Sequence, residues 1–450
     1  MWSNLNSAIT AVSDFICGYP LFILLIGGGL FFLFYSNFIP FRHYGTAIRS
    51  LKSTDDNQSG QISSFEALTS AIAATVGMGN IAGVAIALTM GGPGAIFWMW
   101  VSAAVGMATK FFEGTVAVMY KGKDSAGEVQ GGPMYYITEA LGPKWKPLAV
   151  FFSMFGLIGT LCIMQANQLT EAITTVFTTP AGIENTVTLR LIIGLIICAI
   201  VSVVVLGGIE RIAKISSKVV PFMVAAYFIL VFYIIITHIT EVPRVFGEIF
   251  YGAFNLKAGV GGLIGVAIIG ARRAALVNEA GVGTASMMHG ASKNSEPIKE
   301  GLVAMIGPSI DSGLVCTLTA IAILLGGNYA DIEGVKGLEV AVNAFENTIP
   351  GYGAYLLMAM VFIFAFSTMF SYSYYGVKCT GYLFGAKNSK YYNYFFLIML
   401  VVAAVIPLKA AVGIIDLAYA LMALPTMFAL FVLAPKVRAA QKEYFKKNKN

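Results

Sequence analysis

The stretch that decides the fold reads AATVGMGNIAG, residues 73–83, and lies in the middle of a long apolar run. The two glycines and the asparagine of this segment disfavour an α-helix, since glycine costs about 1 kcal/mol relative to alanine in a helix interior. Small residues such as Ser70 and Ala74, one turn apart, also suit the close packing of two membrane helices. The segment alone therefore leaves two interpretations, a helix broken at its centre or a continuous helix in close contact with a neighbour.

The composition around this run is that of a membrane protein. Of the 450 residues, 57% are hydrophobic and 12% are charged, and the mean hydropathy is +0.77. Soluble domains carry about 25% charged residues, so a solvated surface cannot be built from this chain. This excludes a soluble enzyme, a nucleic-acid-binding protein and a disordered scaffold. The five cysteines show no close pairing and the three histidines do not cluster, so neither a disulfide framework nor a zinc site is expected.

Apolar runs long enough to cross a bilayer, about 20 residues each, predict eleven transmembrane helices. They lie near residues 20–35, 65–90, 95–120, 148–176, 189–206, 219–238, 262–288, 302–325, 352–377, 392–407 and 411–434. We therefore expect an all-α polytopic membrane protein. Between these runs, residues 131–142 are too short to span and predict an amphipathic helix along the interface, with a counterpart at residues 335–348.

The basic residues predict the orientation of these helices. If the N-terminus is outside, the outer segments hold only Arg190, Arg244, Lys257, Lys336 and Lys409. The inner loops and the C-terminal tail then hold most of the other lysines and arginines. Short loops rich in Lys and Arg stay on the cytoplasmic side, so we expect the N-terminus outside and the C-terminus inside the cell membrane. The net charge of +6 then reflects topology and does not indicate nucleic acid.

The seventh run is interrupted by charge. Residues 265–284 read GVAIIGARRAALVNEAGVGT, and a charge at the centre of a membrane helix costs about 2.5–3.5 kcal/mol on insertion scales. Such residues face a cavity or each other. Two interpretations follow. The charged residues either mark a transport pathway or form an Arg–Glu ion pair that only holds the helices together. We predict an unwound stretch at residues 270–276.

The two glycine-interrupted runs, the second and the seventh, lie five runs apart. Because five is odd, a second copy of runs two to six would sit inverted in the membrane as runs seven to eleven. Paired interrupted segments of this kind are typical of inverted-repeat transporters with a site at the midplane. The pattern predicts an extra N-terminal helix and loop (1–64), two repeats (65–238 and 239–434) and a basic tail (435–450).

A break in run two would present two kinds of backbone group. N–H groups near Gly79 suit a carboxylate, and free carbonyl groups near Val76 suit a small cation such as Na⁺. Run nine adds the hydroxyl groups of Ser367 and Thr368. These either bond to their own helix or, with the carbonyl groups of Ala73 and Val76 opposite, complete a sodium site of five oxygen atoms.

Several longer blocks resemble a known family. Residues 91–101 read GGPGAIFWMWV, and Arg273 is followed by NEAGVG at residues 278–283. These blocks are similar to those of the alanine or glycine:cation symporters, and the resemblance covers residues 65–435. It implies a LeuT-type fold of the amino acid–polyamine–organocation superfamily with one added helix. It also implies uptake of small neutral amino acids coupled to Na⁺, or to H⁺, with no other cofactor.

Residues 76–80 also resemble the unwound first core helix of the neurotransmitter:sodium symporters. This likeness implies that the N–H groups of Met78 and Gly79 hold the substrate carboxylate. It implies two groups of sodium ligands, which are Thr75 and Asn80 for one ion and Ala73, Val76, Ser367 and Thr368 for the other.

The rest of the substrate pocket is expected from the fourth and seventh runs. Gln168 either bonds to a neighbouring helix or orients the substrate beside Thr75. The candidates for the opposite wall are Gly270, Arg273, Ala274 and Leu276. A channel and a membrane enzyme are the competing classes, but the chain has no HExxH or Gly-x-Ser-x-Gly motif. It also has no phosphate-binding P-loop, so an ion gradient is the expected energy source.

Overall fold

The computed structural model describes residues 16–51, 60–254, 259–327 and 337–448. The fold is helical, and the helices of the first half are α1 Tyr19–Tyr35, α2 Ile39–Arg42, α3 Tyr44–Ser50, α4 Ser64–Thr75, α5 Ala82–Gly91, α6 Gly94–Met119, α7 Pro133–Leu141, α8 Lys146–Gly159, α9 Ile163–Ile173, α10 Val187–Val205, α11 Gly208–Thr237 and α12 Val242–Ala253. A two-residue hairpin, β1 Gly122–Lys123 and β2 Val129–Gln130, follows α6.

The second half begins after the undescribed residues 255–258. Its helices are α13 Gly259–Asn278, α14 Thr284–Gly290, α15 Pro297–Ala304, α16 Cys316–Gly326, α17 Gly337–Thr348, α18 Gly353–Phe384, α19 Tyr391–Val405 and α20 Leu408–Lys447. Short irregular helices join or interrupt them: 3-10 turns at Met78–Asn80, Pro143–Trp145, Ile239–Glu241 and Ala386–Asn388, and π-helical turns at Ile23–Gly27, Thr174–Thr178 and Ser309–Val315. The two short helices predicted between the runs are present as α7 and α17, and most residues of each are buried against other helices. Their position along the membrane interface stays a prediction.

Within the described residues, seven helices are long and apolar enough to cross a membrane, or eight when the bent pair α4–α5 counts as one span. The seven are Gly94–Met119, Pro143–Thr178, Val187–Val205, Gly208–Thr237, Pro297–Gly326, Gly353–Phe384 and Ala411–Lys447. The three other predicted runs coincide with α1, α13 and α19, which are shorter or carry charge. The count of eleven and the inverted repeat remain predictions.

Burial separates the inner helices from the outer ones. The most apolar part of α6 is 72% buried and that of Pro297–Gly326 is 67% buried, whereas the values for α10 and α11 are 28% each. Helices that are apolar all round but mostly exposed are suited to contact with lipid. The core of the bundle therefore contains α6 and the helix at 297–326, and α10 and α11 lie at its periphery.

The broken helix starts at a strong local signal. Ser63 and Glu66 form a reciprocal capping box, in which the Ser63 N–H donates to the Glu66 carboxylate at 2.9 Å and the Glu66 N–H donates to the Ser63 hydroxyl at 3.2 Å. Such a cap satisfies N–H groups that have no partner within the helix. The cap fixes the start of α4 at Ser64. The helix has twelve residues and therefore ends at Thr75, in the protein interior.

The second break lies at a different place from the prediction. Helix α13 is continuous through residues 270–276, and the chain leaves helical geometry at residues 279–283. Glu279, Gly281 and Gly283 have φ of 53°, 88° and 95°. Arginine, alanine and leucine favour a helix, whereas glycine adopts positive φ without a steric penalty. The glycine pair, and not the arginine pair, therefore determines where the helix ends.

We expect Gly281→Ala to lower the thermal unfolding midpoint of the purified protein in detergent. A non-glycine residue at this positive φ costs about 1–2 kcal/mol. The new Cβ would also stand 2.7 Å from Leu25 Cδ2 and 2.8 Å from Met427 Sδ. Gly265→Ala is the matched control, because a Cβ there meets nothing within 4 Å. Equal midpoints for the two variants would show that the strained break does not limit stability.

Candidate functional site

The first break lies between α4 and α5, where the sequence pattern places it, so the continuous-helix interpretation is excluded. The backbone leaves helical geometry at Val76, with φ −79° and ψ 95°, and Gly77 is extended. One 3-10 turn at Met78–Asn80 precedes α5, and the two arms differ in direction by 58°. Helix ends carry backbone groups without helical partners, so carbonyl and N–H groups meet at this buried point.

Asn80 holds the break in place with its side chain. Its Oδ1 accepts the Gly77 N–H at 2.9 Å, and its Nδ2 donates to the Asp311 carbonyl oxygen at 3.3 Å. The fully buried amide thus connects the two arms of the break to the π-helical turn Ser309–Val315. One lone pair of Oδ1 is used by this contact, and the other is available to a further partner.

Thr368, in the middle of α18, contacts the end of α4. Its hydroxyl oxygen lies 3.1 Å from the carbonyl oxygen of Ala73 and 3.0 Å from that of Phe364. A Cβ at Gly77 would stand 2.2 Å from the same hydroxyl, so this close approach requires glycine. A hydroxyl and a helix-end carbonyl at this separation are two hard oxygen atoms of the kind that small hard cations prefer.

Ser367, the adjacent hydroxyl, is directed differently. It donates to the Phe364 carbonyl at 2.9 Å and lies 3.6 Å from Met223 Sδ on α11. The structure therefore brings Thr368 and Ala73 together, whereas Ser367 turns toward α11.

Gln168 lies beside the second arm of the break. A Cβ at Gly337 would be 3.3 Å both from Gln168 Oε1 and from Ala82 Cβ, so the amide lies near the start of α5. The neighbouring Asn167 donates instead to the Ala403 carbonyl oxygen at 3.0 Å. Of two adjacent buried amides, Asn167 connects helices, and Gln168 lies near the break.

Helix α13 reaches the first break through Val277, a residue that the sequence did not single out. A Cβ at Gly79 would lie 3.3 Å from Val277 Cγ2, and one at Gly83 would lie 4.0 Å from the same atom. The only sequence signal is that Val277 lies one helical turn beyond Arg273. Val277 therefore forms part of the wall that faces Gly79.

The sequence-predicted residues of α13 have different surroundings. Gly270 packs α13 against α6, because its Cβ would be 2.3 Å from the carbonyl oxygen of Ala95. Arg273 and Ala274 are buried. The side chain of Leu276 lies outside the described part of the chain. Because Val277 provides the contact with Gly79 and Gly270 faces α6, the expected unwound wall at residues 270–276 is not present.

Buried carboxylates hold the second break. Glu279 accepts hydrogen bonds from the Thr284 hydroxyl and, at 3.1 Å, from the Tyr419 hydroxyl. Arg272 pairs with Asp416 of α20, with 2.6 Å between nitrogen and oxygen. Of the two interpretations of the charged run, an ion pair that joins helices is therefore present. Its acid is Asp416 of α20, however, and not Glu279 as expected.

Glu113 of α6 supports the same break from the other side. Its carboxylate accepts the Gly281 N–H and, at 3.3 Å, the Ser286 hydroxyl. One turn away, Lys110 is buried, and its ammonium has no hydrogen-bond partner among the described residues. Its charge acts on Glu113, Glu279 and Asp311. Among the described residues, Lys110 is thus a buried cation that acts on three buried carboxylates.

Asp311 is a site residue that the sequence-derived set lacks. Its carbonyl oxygen binds Asn80, and its carboxylate lies beside the side chain of Thr75. One carboxylate oxygen is buried without a hydrogen-bond partner in the part of the chain that the structure describes. The available signal was a lone acid inside an apolar run, three residues after Pro308. Asp311 adds an anionic oxygen at the first break.

The end of the bundle where α4 begins is closed by a buried carboxylate. Glu300 of α15 accepts from the Ser64 hydroxyl at 2.7 Å and from the Asn294 amide at 3.2 Å, and it lies 2.7 Å from His289 Nδ1. The Gln61 N–H also donates to the Ala291 carbonyl at 2.9 Å. Any movement of α4 away from α15 must break these contacts.

Two broken helices inside an apolar bundle, with buried hydroxyl, carbonyl and carboxylate oxygen atoms beside the first break, are the architecture of a multi-pass membrane transporter. A sequence profile of the sodium:alanine symporter family matches residues 2–450, so the chain belongs to that family. It is 35% identical to the sodium/alanine symporter AgcS of Methanococcus maripaludis, over 99% of this chain and 98% of that one. It is 32% identical to the probable sodium/glutamine symporter GlnT of Bacillus subtilis, over 100% and 92%.

A solved structure supports the fold. MhsT in complex with L-phenylalanine, a transporter of LeuT-type fold, superposes with a TM-score of 0.57 over 86% of this chain and 99% of that one, at 13% identity. The predicted family resemblance is thus confirmed. The protein is a transporter and not an enzyme, and it carries out Na⁺-coupled amino-acid symport.

Proposed function

We propose that the protein imports small neutral amino acids, alanine and glycine, together with Na⁺ by alternating access around the first break. The observation that carries this proposal is the contact between the Thr368 hydroxyl and the Ala73 carbonyl, next to the 3-10 turn at Met78–Asn80. Oxygen ligands and free N–H groups occur there side by side. A zwitterion and a sodium ion need this combination.

One sodium ion is assigned to the end of α4. Its proposed ligands are the carbonyl groups of Ala73 and Val76 and the hydroxyl groups of Thr368 and Ser367. The 3.1 Å separation of the Thr368 hydroxyl from the Ala73 carbonyl oxygen supports Thr368, whereas Ser367 would have to turn away from α11 to join them. A second ion is assigned to the Thr75 carbonyl and the Asn80 side chain. The Asp311 carboxylate beside Thr75 supports this second assignment, because its unpartnered oxygen supplies the negative charge that a buried cation requires.

The substrate is assigned to the second arm. The N–H groups of Met78 and Gly79 receive its carboxylate, and Gln168 orients it from the side. Arg273 and Ala274 belong to the proposed wall on α13, to which the structure adds Val277. Because Gly79 stands so close to Val277, the space admits small side chains only. Gly270 packs against α6 instead. Leu276 stays a sequence-based prediction, because its side chain lies outside the described part of the chain.

The proposed orientation has the N-terminus outside and the C-terminal tail in the cytoplasm. It rests on the uneven distribution of Lys and Arg between the two sides. The contacts of Glu300 with Ser64 and His289 then lie at the inner end, where α4 must move for release into the cell. Two repeats, residues 65–238 and 239–434, would each contribute one broken helix to this motion.

Uptake of radiolabelled alanine into proteoliposomes tests the proposed function directly. An inward Na⁺ gradient should drive accumulation that saturates with alanine and is competed by glycine. Glutamate and lysine should not compete, because Val277 lies so close to Gly79 that the space excludes long side chains. A proton gradient imposed without Na⁺ shows whether H⁺ replaces the ion. Accumulation that is equal with and without both gradients would refute coupled symport.

Thr368→Ala should raise the Na⁺ concentration for half-maximal alanine binding about tenfold or more. A contact to a charged partner contributes about 1.5–3 kcal/mol, and this variant removes one ligand oxygen. Thr380→Ala is the matched control, since Thr380 is buried on the same helix, about three turns further along, and its hydroxyl donates to the Gly376 carbonyl. An unchanged Na⁺ dependence for Thr368→Ala would remove both Ser367 and Thr368 from the sodium site.

Gly79→Val should abolish alanine binding, because its Cβ would already approach Val277 at 3.3 Å and its methyl groups would fill the carboxylate position. Gly83→Ala, one turn further along, should bind normally, since its Cβ would remain 4.0 Å from the same side chain. Isothermal titration with alanine measures both variants. Normal binding by Gly79→Val would place the substrate away from the first break.

A further inference from the structure

A cavity lies between the segment that follows α1 and the end of α20, and none of its lining residues belongs to the proposed substrate site. Its volume is about 700 Å³. The first wall comes from Ser36 and from α2 and α3, and the second comes from residues 438–448 of α20. A volume of this order accommodates a small ligand or a lipid headgroup.

The charge of this cavity is positive. Four permanent cations line it, namely Arg42, Arg49, Arg438 and Lys442, and no aspartate or glutamate is among its lining residues. Arg42, Arg49 and Lys442 form no salt bridge with the described acids. The adjoining cavity of about 600 Å³ differs, because Glu296 and Glu443 line it. The larger cavity is therefore the one that attracts an anion.

Hydrogen bonds and a ring contact hold the two walls of the basic cavity together, and none of these contacts neutralises its cations. Arg438 donates to the Ser36 carbonyl at 3.2 Å and to Gln441 Oε1 at 2.8 Å, and Gln441 donates to the same carbonyl at 3.0 Å. His43 stacks on Phe445 with 3.9 Å between ring centroids. Burial, and secondarily the Arg42 charge, lowers the pKa of His43, so its ring is neutral at pH 7. These contacts connect α20 to α1–α3 before any ligand binds.

Exposed apolar side chains place the cavity at the membrane surface. Phe41 and Ile48 are 60% and 46% exposed, and each directly precedes an arginine of the cavity, Arg42 or Arg49. Phe34, at the end of α1, is also 61% exposed. Aromatic and aliphatic groups of this kind enter the hydrocarbon while neighbouring arginines reach the headgroup layer. The mouth of the cavity therefore meets the level at which lipid phosphates lie.

We propose that this cavity binds the phosphate headgroup of an acidic phospholipid. Arginine recognises phosphate through paired N–H groups, and basic pockets between membrane helices on the cytoplasmic side suit anionic headgroups. Four cations in one cavity match a lipid whose headgroup keeps its net negative charge. The apolar rim formed by Phe41 and Ile48 supplies the contact for the acyl chains that a free phosphate ion lacks. This site is independent of the proposed amino-acid substrate.

Bound lipid would also brace the core. The Tyr44 hydroxyl on α3 lies 2.8 Å from the Ser309 hydroxyl, at the first residue of the π-helical turn that carries Asp311. A headgroup that holds α3 against α20 thus stabilises the contact of α3 with this turn. The same lipid should accordingly raise the thermal unfolding midpoint.

Native mass spectrometry of the purified chain in mixed micelles tests the proposal. With equal amounts of phosphatidylglycerol and phosphatidylcholine, the wild-type protein should retain phosphatidylglycerol preferentially. Arg42→Gln combined with Arg49→Gln should weaken that retention about thirtyfold, since each basic residue near an acidic surface contributes to binding. Arg42→Lys with Arg49→Lys, which keeps both charges, should restore most of it.

The matched control is Lys214→Gln combined with Lys218→Gln, which removes two exposed charges from α11, outside the cavity. This control should retain phosphatidylglycerol as the wild type does. Equal retention of the two lipids by the wild type, or undiminished retention by the Arg42→Gln, Arg49→Gln variant, would overturn the proposal. Displacement of the lipid by millimolar inorganic phosphate would overturn the lipid assignment and indicate a site for free phosphate.

Discussion

The structure depends on one constraint, which is that backbone groups freed by a helix break inside an apolar bundle must find partners within the protein. At the first break the Asn80 side chain takes the Gly77 N–H, and the Thr368 hydroxyl meets the Ala73 carbonyl. Both contacts are possible because glycine at position 77 lets α18 approach closely. The oxygen atoms in these contacts, together with the nearby N–H groups of Met78 and Gly79, are the groups that we assign to sodium and substrate.

The second break meets the same constraint in a different way. Here buried carboxylates accept the hydrogen bonds. Glu113 accepts from the Gly281 N–H, and Glu279 accepts from the Thr284 hydroxyl. Lys110 lies between them as a buried cation, so the interior holds compensating charges. Such compensation is needed because an unpaired charge in an apolar interior is costly.

Membership of the sodium:alanine symporter family and the LeuT-type neighbour agree with this distribution of polar groups. The first break combines hydroxyl, carbonyl and carboxylate oxygens with N–H groups of a helix start, which suits a sodium ion and a zwitterion together. The basic cavity beside α1 and α20 lies outside this machinery. Its link to the core runs through the contact of Tyr44 with Ser309, so α3 connects the basic cavity with the π-helical turn that carries Asp311.

The sequence by itself determined the membrane class, the family and the position of a candidate first break. Hydropathy and glycine placement are local properties, so residues 73–83 located this candidate, and the structure excluded the alternative of a continuous helix. The second break was misplaced because a single chain does not show which of two unfavourable features, the arginine pair or the glycine pair, the fold relieves. Tertiary contacts determine the position of the second break. Arg272 pairs with Asp416 within a continuous helix, and the Gly281 N–H donates to Glu113 where the helix ends. Asp311 and Val277 joined the site only through packing, because each is distant in sequence from the first break and no local pattern records which buried groups will meet.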